Sequence, residues 1–269
     1  MKLDFAKKQA EPVSDRGNRT VVETPPVEEP TKAVTVYQPK SAALAMPVVD
    51  DFAGEWLRTD QRLPRINLVQ KVSDNELVRN FGIGAFVLAK EVKLSDGETP
   101  LKLTALAAIK DYVQKIPFDS GEQPAVFNSE EEVINAGGSL NYKDLESGNF
   151  FQPRAHIEFA VPATEGMDEN ELALFPYDFE GVSYAKVLYT VASSAYTSLA
   201  KELATMRSAN KVLRQGLRYG SLTMTAEVRK KNTKSWYVPV ARFGGKNSPE
   251  LIEFFETIEP SLKKQPAQG

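Results

Sequence analysis

The sequence predicts a mainly β chain of the α+β class. Several runs alternate apolar and polar residues with the period of two that is typical of strands, most clearly from Leu222 to Arg229. Turn residues such as Ser95-Asp96-Gly97 stand between runs of this kind. Two segments have helical features, one ending near Met206 and one following Ser248. Strands therefore dominate the prediction, and helices are few.

The first part of the chain divides into a tail and the start of a folded domain. Residues 1–50 are rich in proline with few large apolar side chains, which predicts a flexible tail. A single folded domain is expected over residues 51–262, and a disordered tail over 263–269. Phe86–Leu88 and Leu101–Ile109 are predicted strands. Gly82 and Gly84 lack the third glycine of a dinucleotide fingerprint, so they predict a bend.

An acidic insertion is expected over about residues 119–150. It contains Glu130-Glu131-Glu132 and the turn pair Gly137-Gly138. Over the longer range 119–180, fourteen acidic residues face two basic ones, a net charge of −12. The acids do not match the spacing of a calcium loop, so a solvated surface is the favoured interpretation.

The sequence of the second half of the domain predicts two strands, a helix, a long hairpin and a short C-terminal helix. Ala155–Val161 and Tyr184–Val191 are predicted strands, and the latter is followed by a helix from Ser193 or Ser194 to about Met206. Leu217 to Arg229 and Ser235 to Phe243 predict paired strands joined by a loop over residues 230–234. Pro239 predicts that the second strand lies at a sheet edge. Ser248 and Pro249 predict the start of a short C-terminal helix.

This order of elements is that of an OB-like five-stranded barrel, in which one internal helix separates the third and fourth strands. The predicted architecture is therefore such a barrel with an acidic insertion and a short C-terminal helix.

The composition argues against most catalytic chemistry. The 269 residues include no cysteine and one histidine, His156, in an alternating strand pattern where an exposed structural role is favoured. This excludes disulfides and thiolate sites, and no spacing of acids suggests a catalytic site. We expect no enzyme activity, no cofactor and no metal site. The N-terminus lacks the apolar core of a signal peptide, and no apolar run approaches the ~20 residues of a membrane span, which predicts a cytoplasmic protein.

The most distinctive stretch runs from Lys201 to Lys246. It holds eleven basic and two acidic residues, a net charge of +9 in a chain of formal net charge −3. Basic residues interleaved with aromatic ones are suited to single-stranded nucleic acid, because cations follow the phosphates and rings stack on the bases. The predicted binding residues are Arg218, Tyr219, Arg229, Lys230, Lys231, Lys234, Trp236, Tyr237, Arg242 and Phe243. Arg65 and Lys71 suggest a second basic patch. The alternative is a solvated charged face with the rings in the core.

Three short motifs carry a resemblance to a known family. They are a Pro-Arg-hydrophobic-x-hydrophobic-x-Gln opening at Pro64–Gln70, an Ala-Lys-x-Leu helix at Ala200–Leu203, and a Tyr-x-Pro strand at Tyr237–Pro239. Over roughly Trp56 to Gly245 the chain resembles a family of bacteriophage OB-fold single-stranded DNA-binding proteins. The resemblance implies non-catalytic, sequence-independent DNA binding in phage replication or recombination, in the host cytoplasm, with replication or recombination proteins as partners. The acidic insertion and the proline-bearing N-terminal tail depart from that family.

Other ligands and a different class of protein stay open. RNA is a second candidate ligand, since neither the charges nor the rings distinguish it from DNA. The chain could also be a phage structural, assembly or adaptor protein whose basic edge meets an acidic partner. The acidic segment of a second copy would suit that edge and give a charge-paired homo-oligomer.

Overall fold

The computed structural model describes residues 62–117, 120–145, 147–258 and 260–262. The tails predicted over residues 1–50 and 263–269 lie outside the described residues. The strands are β1 Ile66–Leu68, β2 Phe86–Leu88, β3 Val92–Ser95, β4 Leu101–Gln114, β5 Val126–Phe127, β6 Phe151–Pro162, β7 Tyr177–Phe179, β8 Val182–Ala192, β9 Gly220–Lys231 and β10 Lys234–Lys246. The α-helices are α1 Asn75–Phe81, α2 Glu130–Asn135, α3 Glu169–Leu172, α4 Ser193–Ala195, α5 Glu202–Ala209, α6 Lys211–Gln215 and α7 Pro249–Thr257.

The described residues form a mainly β, α+β fold with two antiparallel sheets. The larger sheet has seven strands in the order β10-β9-β4-β6-β8-β7, with β5 paired to β4. The smaller sheet has the order β1-β2-β3. Because the ladder of the larger sheet ends at β10 and β7 and does not close, the OB-like five-stranded barrel is not confirmed. The mainly β, α+β class is as predicted.

A segment before α1 spans the gap between β8 and β10. Arg65 forms an isolated parallel bridge with Leu188, and the Leu188 backbone N–H donates to the Pro64 carbonyl over 2.9 Å. Five residues further on, the side-chain amide of Gln70 meets the β10 backbone at Tyr237, donating to its carbonyl and accepting from its N–H, each over 2.9 Å. Two of the three motif segments are therefore in direct contact.

The main core lies between the large sheet and the helical segment that follows β8. Alternate residues of β6 and β8 are buried there with Leu199, Leu203 and Leu213. The predicted single helix is interrupted: α4 leads into a π-helical turn at Tyr196–Lys201, and α5 follows. Asn210 then starts α6, its side chain accepting from the backbone N–H of Val212 over 2.8 Å.

The acidic insertion has its own small core at one end of β4. Its strand β5 pairs with β4 at Tyr112 and Val113, and Val133 of α2 packs with Tyr112 and Phe151. β9 pairs with the opposite end of β4, at Leu101–Thr104. These two pairings are roughly 30 Å apart along the strand, at about 3.3 Å per residue. The insertion and the hairpin therefore attach to opposite ends of β4.

The last two strands and the C-terminal helix are of the predicted type, but some of their boundaries differ from the predicted ones. Residues 217–219 form a 3₁₀ turn, so β9 begins at Gly220, three residues later than predicted. The edge position predicted from Pro239 is confirmed, since β10 is the last strand of the ladder. The C-terminal helix is confirmed as α7, and the Ser248 side chain accepts from the Leu251 backbone N–H over 3.2 Å.

Candidate nucleic-acid interface

The tip of the β9–β10 hairpin carries four exposed cations. Lys231 pairs with Lys234 in the ladder, so the connection is a two-residue turn at Asn232-Thr233 and not the predicted five-residue loop. Asn232 adopts φ 55°, a left-handed conformation that asparagine tolerates well. The lysines predicted in a loop therefore lie at the ends of two strands. The exposed cations are Arg229, Lys230, Lys231 and Lys234.

One carboxylate accompanies these cations on the hairpin. Glu227 lies 3.7 Å from the Arg229 guanidinium, and both side chains are about half exposed. An exposed pair of this kind contributes little to stability. The three lysines have no carboxylate within ion-pair distance among the residues that the structure describes. The three lysines around the two-residue turn therefore produce a positive potential that Glu227, paired with Arg229, cancels only in part.

Trp236 and Tyr237 lie on opposite faces of β10, as the alternation of a strand requires. The Trp236 indole Nε1 donates to the Ser194 hydroxyl over 2.9 Å, and the ring is half-buried. The Tyr237 ring packs over Gly84, where an added Cβ would lie 2.9 Å from the ring. Gly84 also has φ +91°, so this position needs glycine on two grounds. Trp236 therefore lies on the face of β10 that is next to α4, and Tyr237 lies on the face that is next to the bend at Gly84.

Lys71 adds a fifth cation beside the hairpin. Its Nζ donates to the Ser235 hydroxyl over 3.2 Å, at an exposed position next to Lys234. The neighbouring Gln70 holds this segment against Tyr237. Arg65 is exposed and lies at the other end of the segment, in the bridge to Leu188. The structure therefore places Lys71 with the hairpin cations and leaves Arg65 apart from them.

The remaining predicted residues form a second group at the base of the hairpin. Phe243 pairs with Leu222, nine residue pairs from the turn and therefore about 30 Å along the ladder. Arg242 is exposed, and Phe243 is 37% exposed with its ring edge above Gly220. Arg218 and Tyr219 lie in the 3₁₀ turn before β9. The Arg218 guanidinium is 4.0 Å from the Glu256 carboxylate. The ten predicted residues are thus brought together in two groups, at the tip and at the base.

A polar cluster on the sheet face was not predicted. The imidazole of His156 lies between the Thr190 hydroxyl, 3.0 Å from Nδ1, and the Asp111 carboxylate, 3.1 Å from Nε2. Arg154 donates to both Asp111 oxygens, over 3.0 and 2.6 Å. The His156 side chain is 19% exposed, so the prediction of an exposed histidine is wrong. The register of β6 with its two neighbours brings these residues together. Asp111 of β4 pairs with Arg154, and Thr190 of β8 pairs with His156.

The charge of Asp111 is stabilised by this cluster. Burial alone would raise the pKa of its carboxyl, but the hydrogen bonds from His156 and Arg154 outweigh burial and lower the pKa to about 2. The sequence signal was the i, i+2 spacing of Arg154 and His156, which places both on one face of a strand. Their acidic partner depends on register between strands, which the sequence does not specify. A carboxylate already held by an arginine is typical of a structural ion pair.

The described residues contain neither a metal-binding cluster nor a membrane-spanning helix. Among residues 62–262 as far as they are described, no three His, Cys, Asp or Glu side chains come together as a metal-binding group. No helix in the described part of the chain is long and apolar enough to cross a membrane. Comparison with protein-family models, with curated proteins and with solved structures finds no match to this chain.

Proposed function

We propose that this protein binds single-stranded DNA, without catalysis and largely independently of sequence, through the β9–β10 hairpin. The observation that carries the proposal is the group of exposed cations at the turn, Arg229, Lys230, Lys231, Lys234 and the adjacent Lys71. A two-residue turn at the end of a ladder has no core to stabilise, so the charges have no structural role to explain them. Phosphates are the ligand that such a row of cations suits.

The rings near the cations supply the second component of strand binding. Trp236 is half-buried, with one edge held by Ser194, so its ring is fixed in place and partly accessible. Stacking of a base on such a ring contributes about 1–3 kcal/mol. The OB-like fold of the resembling phage family and a role in phage replication or recombination belong to the same proposal. The segment at Pro64–Gln70, which spans from β8 to β10, is where barrel-like closure would occur.

The binding test is fluorescence anisotropy with labelled oligo-dT and with a duplex of equal length, between about 50 and 200 mM salt. The proposal predicts tighter binding to the single strand and an affinity that falls steeply with salt. Five cations that each contact one phosphate give a slope of log K against log salt of about −3.5, at −0.7 per contact. A wild-type protein that binds neither ligand at low salt overturns the proposal. Oligo-rU in place of oligo-dT tests RNA.

The site within the molecule is tested by charge reversal. Lys230→Glu, Lys231→Glu and Lys234→Glu together are expected to abolish binding. The matched control reverses Lys115, Lys143 and Lys211, three exposed lysines away from the hairpin, at equal change in net charge. Circular dichroism and urea unfolding check that both variants fold. Equal affinities of the two variants would place the binding site elsewhere.

A phage structural, assembly or adaptor role is the second candidate, favoured by the separation of charge along β4. The acidic insertion packs at one end of β4, and the basic hairpin extends from the other end. Opposite charges at opposite ends suit head-to-tail contacts between copies. Salt-sensitive self-association without nucleic acid, measured by sedimentation velocity, would support this role.

A further inference from the structure

A cavity separate from the hairpin lies between β4, β6 and the helical segment after β8. Its volume is about 470 Å³, within the range of about 300–1,000 Å³ typical of small-molecule sites. The floor consists of small and branched apolar side chains, Ala108, Ala155, Ile157 and Leu203. Ala108 is exposed and pairs with Ile157 of β6. On the other edge of β4, the pairing with β9 ends at Thr104 and the pairing with β5 begins at Tyr112. The cavity therefore opens at the unpaired edge of β4.

Three cations surround this apolar floor. Lys110, Arg207 and Arg214 line the cavity and all three are exposed. The Arg214 guanidinium donates to the Ser208 carbonyl over 2.5 Å, which fixes it at the junction of α5 and α6. Arg207 has no hydrogen-bond or ion-pair partner among the described residues. No acidic side chain lines the cavity within that same part of the chain. Its electrostatics therefore favour an anion.

Lys110 is held in position by two aromatic rings. Its Nζ lies 4.6 Å from the centroid of the Tyr112 ring and 5.9 Å from that of Tyr196, both within cation–π range. Tyr196 also lines the cavity and is half-buried, so part of its ring faces the opening. An aromatic ring, an apolar floor and three cations, of which Lys110 and Arg214 are held by neighbouring groups, thus lie in one cavity.

The backbone above the cavity is unusual. Tyr196–Lys201 forms a π-helical turn, a rare conformation that occurs frequently at functional sites. Three residues before Tyr196, Ser193 has φ 53°, a left-handed conformation that is uncommon for serine. This geometry contributes Tyr196 and Ala200 to the cavity wall. A regular helix continuing from β8 would place these side chains differently.

We propose that this cavity binds one nucleoside monophosphate unit, either a free nucleotide or one nucleotide of a bound strand. The base lies against Tyr196 and the alanine-lined floor, and the phosphate lies between Arg207 and Arg214. Two guanidinium groups favour a phosphate over a carboxylate, because one bidentate guanidinium already satisfies both carboxylate oxygens, whereas a phosphate monoester has three terminal oxygens and up to two negative charges. The site does not require strand binding by the hairpin.

The first test is isothermal titration calorimetry of the full chain with thymidine monophosphate, thymidine and inorganic phosphate. The monophosphate is expected to bind at least tenfold more tightly than either fragment, since the cavity offers partners to both halves. Binding of inorganic phosphate as tight as that of the nucleotide would overturn the proposal and leave a simple cluster of cations. Tighter binding of dodecyl phosphate than of the nucleotide would overturn it in favour of a lipid site.

Two variants test the location. Arg207→Ala removes a cation with no described partner, and is expected to weaken nucleotide binding about tenfold, as loss of a charge-assisted hydrogen bond does. Ala204→Leu fills the cavity from α5, keeps every cation, and is expected to weaken binding at least as much. Lys211→Ala, an exposed cation that does not line the cavity, is the matched control and should leave binding unchanged. Unchanged binding in both test variants overturns the assignment.

Oligo-dT anisotropy with the same variants separates the two sources of the nucleotide. If the cavity holds one unit of a strand, Ala204→Leu weakens oligo-dT binding as well as nucleotide binding. If it holds a free nucleotide, Ala204→Leu affects thymidine monophosphate alone. Nucleotide binding without any oligo-dT binding would support the cavity and overturn the hairpin proposal. Oligo-dT binding with no nucleotide binding would support the hairpin proposal and overturn the cavity proposal.

Discussion

At the scale of single residues, Asp111 connects the polar cluster to the pH dependence of stability. The hydrogen bonds from His156 and Arg154 outweigh burial and hold its folded-state pKa at about 2, below the ordinary value of 3.8. A depressed carboxyl pKa stabilises the fold above pH 4, and this contribution is lost as the pH falls through 2. We expect Asp111→Asn to lower the free energy of unfolding by about 2 kcal/mol at pH 7, from 1.36 kcal/mol per pKa unit.

The measurement is urea unfolding of the wild type and Asp111→Asn at pH 7 and near pH 2. The difference between them should shrink at the lower pH, because the wild-type carboxyl is then becoming protonated. Glu91→Gln, at an exposed turn position, is the control and should change the free energy of unfolding little at either pH. A difference that is constant with pH would mean that Asp111 acts through shape and not through charge.

Trp236 allows the stacking hypothesis to be observed directly. The chain has two tryptophans, so Trp56→Phe leaves Trp236 as the only indole. We expect oligo-dT to quench the fluorescence of this variant, because a base that stacks on the ring changes its surroundings. Trp236→Ala is expected to weaken oligo-dT binding by about 1–3 kcal/mol. If anisotropy shows that oligo-dT binds and the Trp236 fluorescence does not change, no base stacks on the ring, and Trp236 serves only to pack against Ser194.

At the scale of elements, Gln70 connects the segment before α1 to the edge strand β10. Its side-chain amide makes two hydrogen bonds to the Tyr237 backbone, in the manner of a neighbouring strand. We expect Gln70→Ala to lower the free energy of unfolding by about 1–3 kcal/mol, at roughly 1 kcal/mol for each hydrogen bond lost. Urea unfolding measures this, with exposed Gln215→Ala as the control. Equal stability of the two variants would mean that the segment is held in place by other contacts.

Gln70 also shows why the sequence predicts the elements better than their assembly. The alternation of Leu222, Met224 and Ala226 indicates a strand because the information is local. The partner of Gln70 lies 167 residues away, and no local pattern encodes that distance. The cavity was missed for the same reason. Arg207 and Arg214 were visible only as part of a basic stretch, and the Lys110 that completes the site comes from β4.

The sequence predicts which hairpin residues are basic, but it does not predict that the ten candidate binding residues divide into a group at the tip and a group at the base. Composition alone marks the residues from Lys201 to Lys246 as basic and aromatic. The division into a tip and a base depends on the two-residue turn and on the start of β9 at Gly220. The turn at Asn232-Thr233 is shorter than predicted because asparagine adopts the left-handed conformation and allows Lys231 to pair with Lys234.

At the scale of the whole molecule, the acidic insertion and the hairpin are far enough apart to act independently. The Debye length is about 8 Å at physiological salt, whereas the pairings of β5 and β9 with β4 are roughly 30 Å apart along the strand. We expect Glu130→Gln with Glu131→Gln to leave oligo-dT affinity unchanged within about twofold at that salt concentration. Fluorescence anisotropy measures it, and a much tighter complex would mean that the insertion reaches the bound strand.

The same double variant separates the two candidate functions. If copies associate head to tail, removing two charges from the acidic end weakens self-association at low salt, and sedimentation velocity detects the loss. The control is Glu250→Gln with Glu253→Gln, two exposed carboxylates on α7, outside the insertion. Reduced self-association confined to the insertion variant, with oligo-dT binding absent in the wild type, would favour the assembly role. Intact oligo-dT binding with no self-association in either variant favours the single-strand binder.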